Sequence, residues 1–505
     1  MRLSGKVAIN VSALTAGRLL NSVTGVVAVA IAARYLHVDS YGALIAGIAF
    51  TGIIGSLTDL GTATIGAREI AKRPDERDQL LRAVFTVNTI LCGFAIAVGL
   101  LTMVLLYGGQ GDHLEREAIL LLMLPTLILP AASTVGVYFI TEQKNYLGMI
   151  ASVGGSLALL ALVVATELFG WGFTGIASAY AANGAVFSLI MIGQGLSRGI
   201  PLKPSLDRAL VTQIMRWALP LGGSLVITAL YWRLDVVLLS VLSTSEEVGP
   251  YGLAFKIVDV LVSLPMFMML TLLPEFARLA EHRQRLEEIM QKAFSVMQTG
   301  AAPLLVFMVV FAPQIIETIG GDDFDDSIPI LQVLMLGVVI SYLAAVCAQG
   351  LIALNRQKLL FWLSIIGLAA NGALNAVLIP LFGGIGAAWA YVGTEIVAIG
   401  LLVWQFTKFA RFPRPMFVGR FAIASAATAA VGLLKLVPGV DSLPSIVVLA
   451  VGGVLCGIVY LGSLYALRAV PPVVDEAMLR PVWNRLRRAA STTTPGQPPE
   501  GAAPR

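Results

Sequence analysis

Apolar runs of about 20 residues follow one another along nearly the whole chain, separated only by short polar turns. A helix needs a run of about that length to cross roughly 30 Å of hydrocarbon. The runs fall at about 9–33, 43–66, 83–107, 118–140, 147–169 and 175–196, then at about 217–242, 251–274, 293–319, 328–354, 359–381 and 385–407. Two more lie near 421–437 and 444–467. With 57% hydrophobic residues, 13% charged residues and a mean hydropathy of +0.85, the 505-residue chain has too little polar surface to coat a soluble particle. A bilayer must be its solvent. The expected fold class is an all-α polytopic membrane protein with about fourteen transmembrane helices.

Within that pattern the chain repeats itself. Gly42 of Tyr41-Gly42 precedes Arg68 by 26 residues, and Gly252 of Tyr251-Gly252 precedes Arg278 by the same 26. Gln143-Lys144 recurs as Gln357-Lys358, and Gly175-Ile176-Ala177-Ser178-Ala179-Tyr180 recurs as Gly384-Ile385-Gly386-Ala387-Ala388-Trp389. A long internal repeat in a polytopic membrane protein points to two lobes rocking about a central site. Both copies hold an even number of spans, so the expectation is two six-helix lobes, 1–205 and 206–416, related by a pseudo-twofold axis along the membrane normal. Two additional helices occupy 417–470. The remainder, 471–505, reads as a basic stretch (Arg480, Arg485, Arg487, Arg488) resting on anionic headgroups, then a disordered tail from Ala489.

The basic residues set the orientation. If the N-terminus is cytoplasmic, the inside segments hold 28 of the 34 Lys and Arg, and the outside ones hold only Arg34, Arg116 and the nearby Lys435. The positive-inside rule then puts both termini in the cytoplasm. A cleaved signal peptide is not expected, because the first apolar run is long, contains Arg18 and leads straight into further spans. The net charge of +4 reports this topology rather than nucleic-acid binding.

Several chemistries find no support. Gly5-Lys6-Val7 holds the one Gly-Lys pair, so there is no phosphate-cradling loop for ATP hydrolysis. Cys92, Cys347 and Cys456 sit in separate apolar spans and read as small hydrophobes, while His37, His113 and His282 are scattered over loops, so neither a metal nor another cofactor is expected. The acidic turn Asp322-Asp323-Phe324-Asp325-Asp326 lacks the glycine and the distant glutamate of an EF-hand and reads as a solvated turn.

The remaining chemistry lies in charges inside the spans: Arg18, Asp59, Arg233, Asp235, Lys256, Asp259 and Glu395. Each costs about 2.5–3.5 kcal/mol at mid-bilayer, so each faces a cavity or a partner. Depth along the helices pairs Arg18 with Asp59, Arg233 with Asp259 and Lys256 with Asp235. Two readings stand side by side: mutual neutralisation, or an anion site in a central cavity. Arg233 and Asp235 are two apart and point to opposite faces of a helix, so one of them looks away from this hairpin unless the helix is distorted.

The run Ala33-Arg34-Tyr35-Leu36, Tyr41-Gly42, Thr58-Asp59-Leu60-Gly61 and Ala67-Arg68-Glu69-Ile70-Ala71 resembles the opening of Wzx-type polysaccharide flippases of the multidrug/oligosaccharidyl-lipid/polysaccharide exporter superfamily. Arg233-Leu234-Asp235, the turn at Gly249–Gly252, the stretch Gly320–Leu334 with Pro329-Ile330-Leu331, and Ala353-Leu354-Asn355 extend the likeness over roughly residues 5–410. The resemblance implies two six-helix lobes around a cationic cavity. It also implies a polyprenyl-pyrophosphate-linked oligosaccharide turned from the cytoplasmic to the outer leaflet of a bacterial membrane. Relatives that flip the lipid-linked peptidoglycan precursor carry cavity arginines on helices one, two and eight; this chain offers Arg18, Asp59 and Lys256 there.

Under that reading Arg18, Arg233 and Lys256 hold the pyrophosphate, while Asp59, Asp235, Asp259 and Glu395 pair with them or couple an ion. A polysaccharide polymerase and a chain-length regulator are the implied partners. Dispersed polar residues such as Asn88, Tyr138, Asn183, Tyr231, Trp232 and Asn371 are left for sugar recognition. Two alternatives are an ion-coupled drug exporter of the same superfamily and a membrane-embedded glycan polymerase or ligase. The second is disfavoured by loops too short to hold an acceptor, so no enzymatic activity is expected.

Overall fold

The computed structural model describes residues 3–109, 113–409, 411, 418–436 and 444–470. The basic stretch at 480–488 and the tail after it lie outside the described residues. Among the described residues all regular structure is helical: α1 (Leu3–Ser56), α2 (Thr62–Lys72), α3 (Arg77–Leu106), α4 (His113–Met123), α5 (Leu129–Thr141), α6 (Asn145–Phe169), α7 (Gly172–Leu196), α8 (Arg208–Leu242), α9 (Ser245–Arg278), α10 (Arg283–Val310), α11 (Ala312–Ile319), α12 (Ser327–Ala353), α13 (Gln357–Phe406), α14 (Val418–Ala429) and α15 (Ser445–Ala466). Among the described residues ten helices are long and apolar enough to cross a membrane, eleven if the bent pair His113–Leu127 and Leu129–Thr141 is one span.

That count differs from fourteen for an identifiable reason. Ala16–Ser56 and Gln357–Phe406 each run through a break where the sequence reading places two spans. The breaks are at His37 (φ 58°, ψ 179°) and Gly383 (φ 55°, ψ −134°). Glycine adopts that backbone without a Cβ penalty, whereas histidine does not. His37 is held in place by its neighbours: its Nδ1 lies 2.7 Å from Asp323 Oδ2, and Arg34 donates to the carbonyls of Glu317 and Thr318 at 2.8 Å each. Those carbonyls close α11, where a helix leaves its last acceptors unmet. At the second break Gly384 N–H donates to Glu247 at 2.7 Å. The span expected at 43–66 is also interrupted. It breaks at Leu57–Gly61, with Leu60 and Gly61 both at positive φ, and continues as α2.

The chain divides into two compact units. The first comprises Met1–Leu264, Phe311–Ser341 and Arg356–Leu402, and so draws on both halves of the sequence repeat. One of its buried clusters joins Leu80, Val84 and Val87 of α3 to Val135 and Phe139 of α5, Met191 of α7 and Ile214 of α8. The second comprises Pro265–Val310, Tyr342–Asn355 and Val403–Arg505, and its core includes Phe421, Ala424, Tyr460 and Leu464. Large apolar side chains also cover the outside of the helices: Leu105 is 71% exposed, Phe169 71% and Leu381 66%. In water such a surface would aggregate, whereas in a bilayer it is solvated. The protein is a multi-pass membrane protein.

The repeated Tyr-Gly pairs have a structural purpose within the first unit. A Cβ on Gly42 would collide with the Ser245 carbonyl, one on Gly249 would come 2.5 Å from the Val38 carbonyl oxygen, and one on Gly252 would press into Ile45. Only glycine permits α1 and α9 to approach that closely. Tyr41 is fully buried there, edge-on to Phe324 with ring centroids 5.5 Å apart. Phe324 belongs to the acidic turn expected to be solvated; its ring is wholly buried, while the Asp323 carboxylate stays exposed beside His37. Further along, the break at Leu57–Gly61 meets α8, since a Cβ on Gly222 would stand 2.5 Å from that of Leu60.

Candidate functional site

Between these two close approaches lies a narrow pocket lined by α1, α7, α8 and α9. Val29, Ile45, Ile48 and Ala49 supply an apolar wall, and Phe255 and Tyr180 add aromatic surface. Its charged groups are Arg233 of α8 with Lys256 and Asp259 of α9. Lys256 and Asp259 are three apart, one helical turn, and therefore share a face. Arg233 Nη1 lies 3.2 Å from Asp259 Oδ2, with the two side chains 31% and 21% exposed. Lys256 is half-buried and, among the described residues, has no hydrogen bond or ion pair. Two cations less one carboxylate leave the pocket one positive charge in excess. A low-dielectric wall strengthens that charge toward an anion.

Asp235 is turned away from this pocket, as its two-residue spacing from Arg233 requires. It is 3% exposed and accepts from Tyr251 O–H and from Asn375 Nδ2, both at 3.1 Å. Asn375 also reaches the Asn371 carbonyl oxygen at 3.0 Å, and Asn371 Nδ2 lies 3.4 Å from the Thr394 hydroxyl. One residue beyond Thr394, Glu395 is 5% exposed and accepts from Tyr231 O–H at 3.0 Å. Neither carboxylate has a basic partner within 4 Å among the described residues, so Asp235 does not meet Lys256. Neutral donors from α8, α9 and α13 hold the pair instead. Buried carboxylates satisfied by hydrogen bonds without a countercharge suit reversible capture of a cation or proton.

Asp59 lies in the Leu57–Gly61 break rather than inside a helix. Its Oδ1 accepts from Thr62 O–H at 2.5 Å and from Ala63 N–H at 2.9 Å, which caps α2. The Thr62 hydroxyl also lies 2.6 Å from the side-chain oxygen of the fully buried Asn88. One hydroxyl cannot donate to both; rotating the Asn88 amide by half a turn lets its nitrogen donate to Thr62, which then donates to Asp59. Arg18 is exposed on α1 and is not part of the pocket lining. The structure thus brings Arg233, Lys256 and Asp259 together and sets Asp235 with Glu395 in a second cluster. Arg18 and Asp59 stand apart from both.

Sequence reasoning missed Tyr251 and Asn375 as partners of Asp235, and Thr394 as a partner of Asn371. It assigned Asn371 and Tyr231 to sugars, whereas both belong to the carboxylate cluster, and Tyr138 sits beneath the Arg77 guanidinium at 5.6 Å. The i,i+4 spacing of Asn371 and Asn375 on one apolar helix was the available signal.

Residues 7–280 match the family model described as "Polysaccharide biosynthesis protein", and residues 220–377 match the MatE model. A probable low-salt glycan biosynthesis flippase, Agl15 of Haloferax volcanii, is 23% identical over 162 residues, 32% of this chain and 34% of the relative. A probable flippase of the same organism, AglR, is 28% identical over 164 residues, again 32% and 34%. The chain thus matches about a third of the length of these curated relatives. A solved structure of the lipid II flippase MurJ in an inward closed conformation superposes with a TM-score of 0.75 at 13% identity, covering 90% of this chain and 98% of that one. The fold is therefore MurJ-like, and the chain belongs to the polysaccharide biosynthesis protein family.

Proposed function

We propose that this member of the polysaccharide biosynthesis protein family is a flippase for polyprenyl-pyrophosphate-linked oligosaccharide repeat units. The observation that carries the reading is Lys256, a cation without an ion pair among the described residues, in a pocket walled by apolar helices. A pyrophosphate carries two or more negative charges and does not enter hydrocarbon unaided. Lys256 and the Arg233 guanidinium would replace its lost hydration with charge-assisted hydrogen bonds. The polyprenyl tail stays in lipid while the headgroup passes. Two six-helix lobes, 1–205 and 206–416, rock about this site with 417–470 outside it, and the cycle needs no covalent chemistry. Arg18, exposed on α1, receives the headgroup on entry. Both termini lie in the cytoplasm and the membrane is the bacterial cytoplasmic membrane, where a polymerase and a chain-length regulator take over the product.

Asp259 keeps Arg233 from binding too firmly to release its cargo. The cluster of Asp235 and Glu395 couples the cycle to a cation or proton, and Asp59 holds the break that leads from α1 into α2. The cluster also favours a second reading, an ion-coupled drug exporter, to which the MatE match at 220–377 adds weight. The excess positive charge at Lys256 argues for an anionic cargo instead.

Complementation separates the two. A flippase-null strain carrying the wild-type gene regains surface polysaccharide, and variants Lys256→Gln and Arg233→Ala at normal membrane abundance do not. Full export by both variants, or resistance to cationic drugs without polysaccharide, would overturn the flippase reading.

A further inference from the structure

The pocket holds one more donor that the charged residues leave unexplained. Tyr180 of α7 lines it beside Arg233 and Lys256. Its hydroxyl is buried and, among the described residues, has no hydrogen-bond partner. A buried hydroxyl left unmatched costs about 1–3 kcal/mol, so a phenylalanine here would be the more stable choice. The second repeat carries no phenol at the matching position, where Trp389 stands. A hydroxyl retained at this position in one half only is asymmetric, as a single-cargo site is. The pocket's polar groups are otherwise an ammonium, a guanidinium and one carboxylate already engaged by that guanidinium. A phenol, an ammonium and the free N–H groups of a guanidinium form a donor set, and a donor set fits an oxyanion.

We infer that Tyr180 is a specificity-determining residue, donating its hydroxyl proton in a hydrogen bond to a phosphate oxygen of the lipid-linked pyrophosphate. The inference rests on the flippase reading and deepens it. Lys256 supplies charge to any anion, whereas the phenol supplies a directed bond that an uncharged lipid alcohol does not satisfy in the same way. No bond is made or broken.

The test uses the full chain in lipid nanodiscs, with geranylgeranyl pyrophosphate as the probe and geranylgeraniol as its uncharged counterpart. Tyr180→Phe keeps the ring and removes the hydroxyl alone. It should weaken pyrophosphate binding about tenfold, the loss expected for a hydrogen bond to a charged group. Alcohol binding should be unchanged and Tm unchanged or higher, because no protein bond is lost; a merely structural hydroxyl would lower Tm. Lys256→Gln is the arm that tests the underlying reading. If Lys256→Gln weakens pyrophosphate binding and Tyr180→Phe does not, the role of Tyr180 is overturned while the flippase reading stands. If Lys256→Gln binds pyrophosphate as the parent does, both fall.

Discussion

Arg233 Nη1 stands 3.2 Å from Asp259 Oδ2, yet Lys256, one helical turn before that carboxylate, is left out of the pair. One acid thus restrains one base and leaves the other without an ion pair among the described residues. Both paired side chains are less than a third exposed, so leaving either charge without its partner costs more than the loss of a surface pair, which is worth about 0.2–1 kcal/mol. Removing Asp259 or Arg233 singly strands a charge, so the single variants Asp259→Ala and Arg233→Ala should each lower Tm. The double variant should lower it by less than the sum of the two. Additive shifts in thermal unfolding would show that the two residues do not interact in the membrane.

The cationic residues should differ in how they tolerate exchange. A planar guanidinium meets phosphate oxygens with two parallel bonds, which an ammonium does not reproduce. Arg18→Lys and Arg233→Lys should keep part of the export, and Arg18→Ala and Arg233→Ala should lose most of it, scored as surface polysaccharide at equal membrane abundance. Wild-type export by both alanine variants would place the cationic site elsewhere.

The contact at Gly42 sets how closely α1 and α9 approach. A side chain there meets the backbone carbonyl of Ser245, which no rotamer change relieves. Overpacking of this kind costs about 1–3 kcal/mol. Gly42→Val should therefore push α1 away from α9 and raise maleimide labelling of an Ala49→Cys pocket reporter, in a background without the native cysteines. Equal labelling with an unchanged Tm would mean that this contact does not hold α1 to α9.

Glu69 carries a pH dependence. It is 4% exposed and accepts from Arg68 at 2.9 Å and from Lys72 and Arg73 at 3.2 Å each, beyond the membrane-spanning segments. Burial pushes its carboxyl up, but the three cations outweigh that and hold it below the ordinary glutamate value. A depressed folded pKa adds stability above the unfolded value and loses it as pH falls through the folded one. Glu69→Gln should lower Tm near neutral pH by about 1 °C, the effect of roughly 1 kcal/mol on a chain of this length. That gap should close in acid below the glutamate range. A gap that persists at acid pH would assign the loss to packing rather than charge.

Asp235 answers to a different test. Asp235→Ala leaves Tyr251 and Asn375 facing no acceptor, at a cost of about 1–3 kcal/mol, while Asp235→Asn keeps an oxygen for them. Export by Asp235→Asn should fall and lose its dependence on sodium or proton gradient, with Tm closer to the parent than for Asp235→Ala. Gradient-dependent export retained by Asp235→Asn would remove this cluster from the coupling step.

The helical class and the membrane were legible in the sequence, because apolar periodicity is a local property that any window of about 20 residues carries. So was the rule that Arg233 and Asp235 diverge, since helical spacing alone determines it. Which partner each one takes was not legible. Asp235 meets Asn375 across 140 residues of chain, and only the rotation of α13 against α8 brings that amide within 3.1 Å. Likewise nothing local marks His37 as a break, because its left-handed backbone is held by Arg34 and Asp323 reaching the far-off α11 and its following turn. Composition along one helix decides that it enters the bilayer. Packing among helices distant in sequence decides which face, which bend and which charge meets which partner.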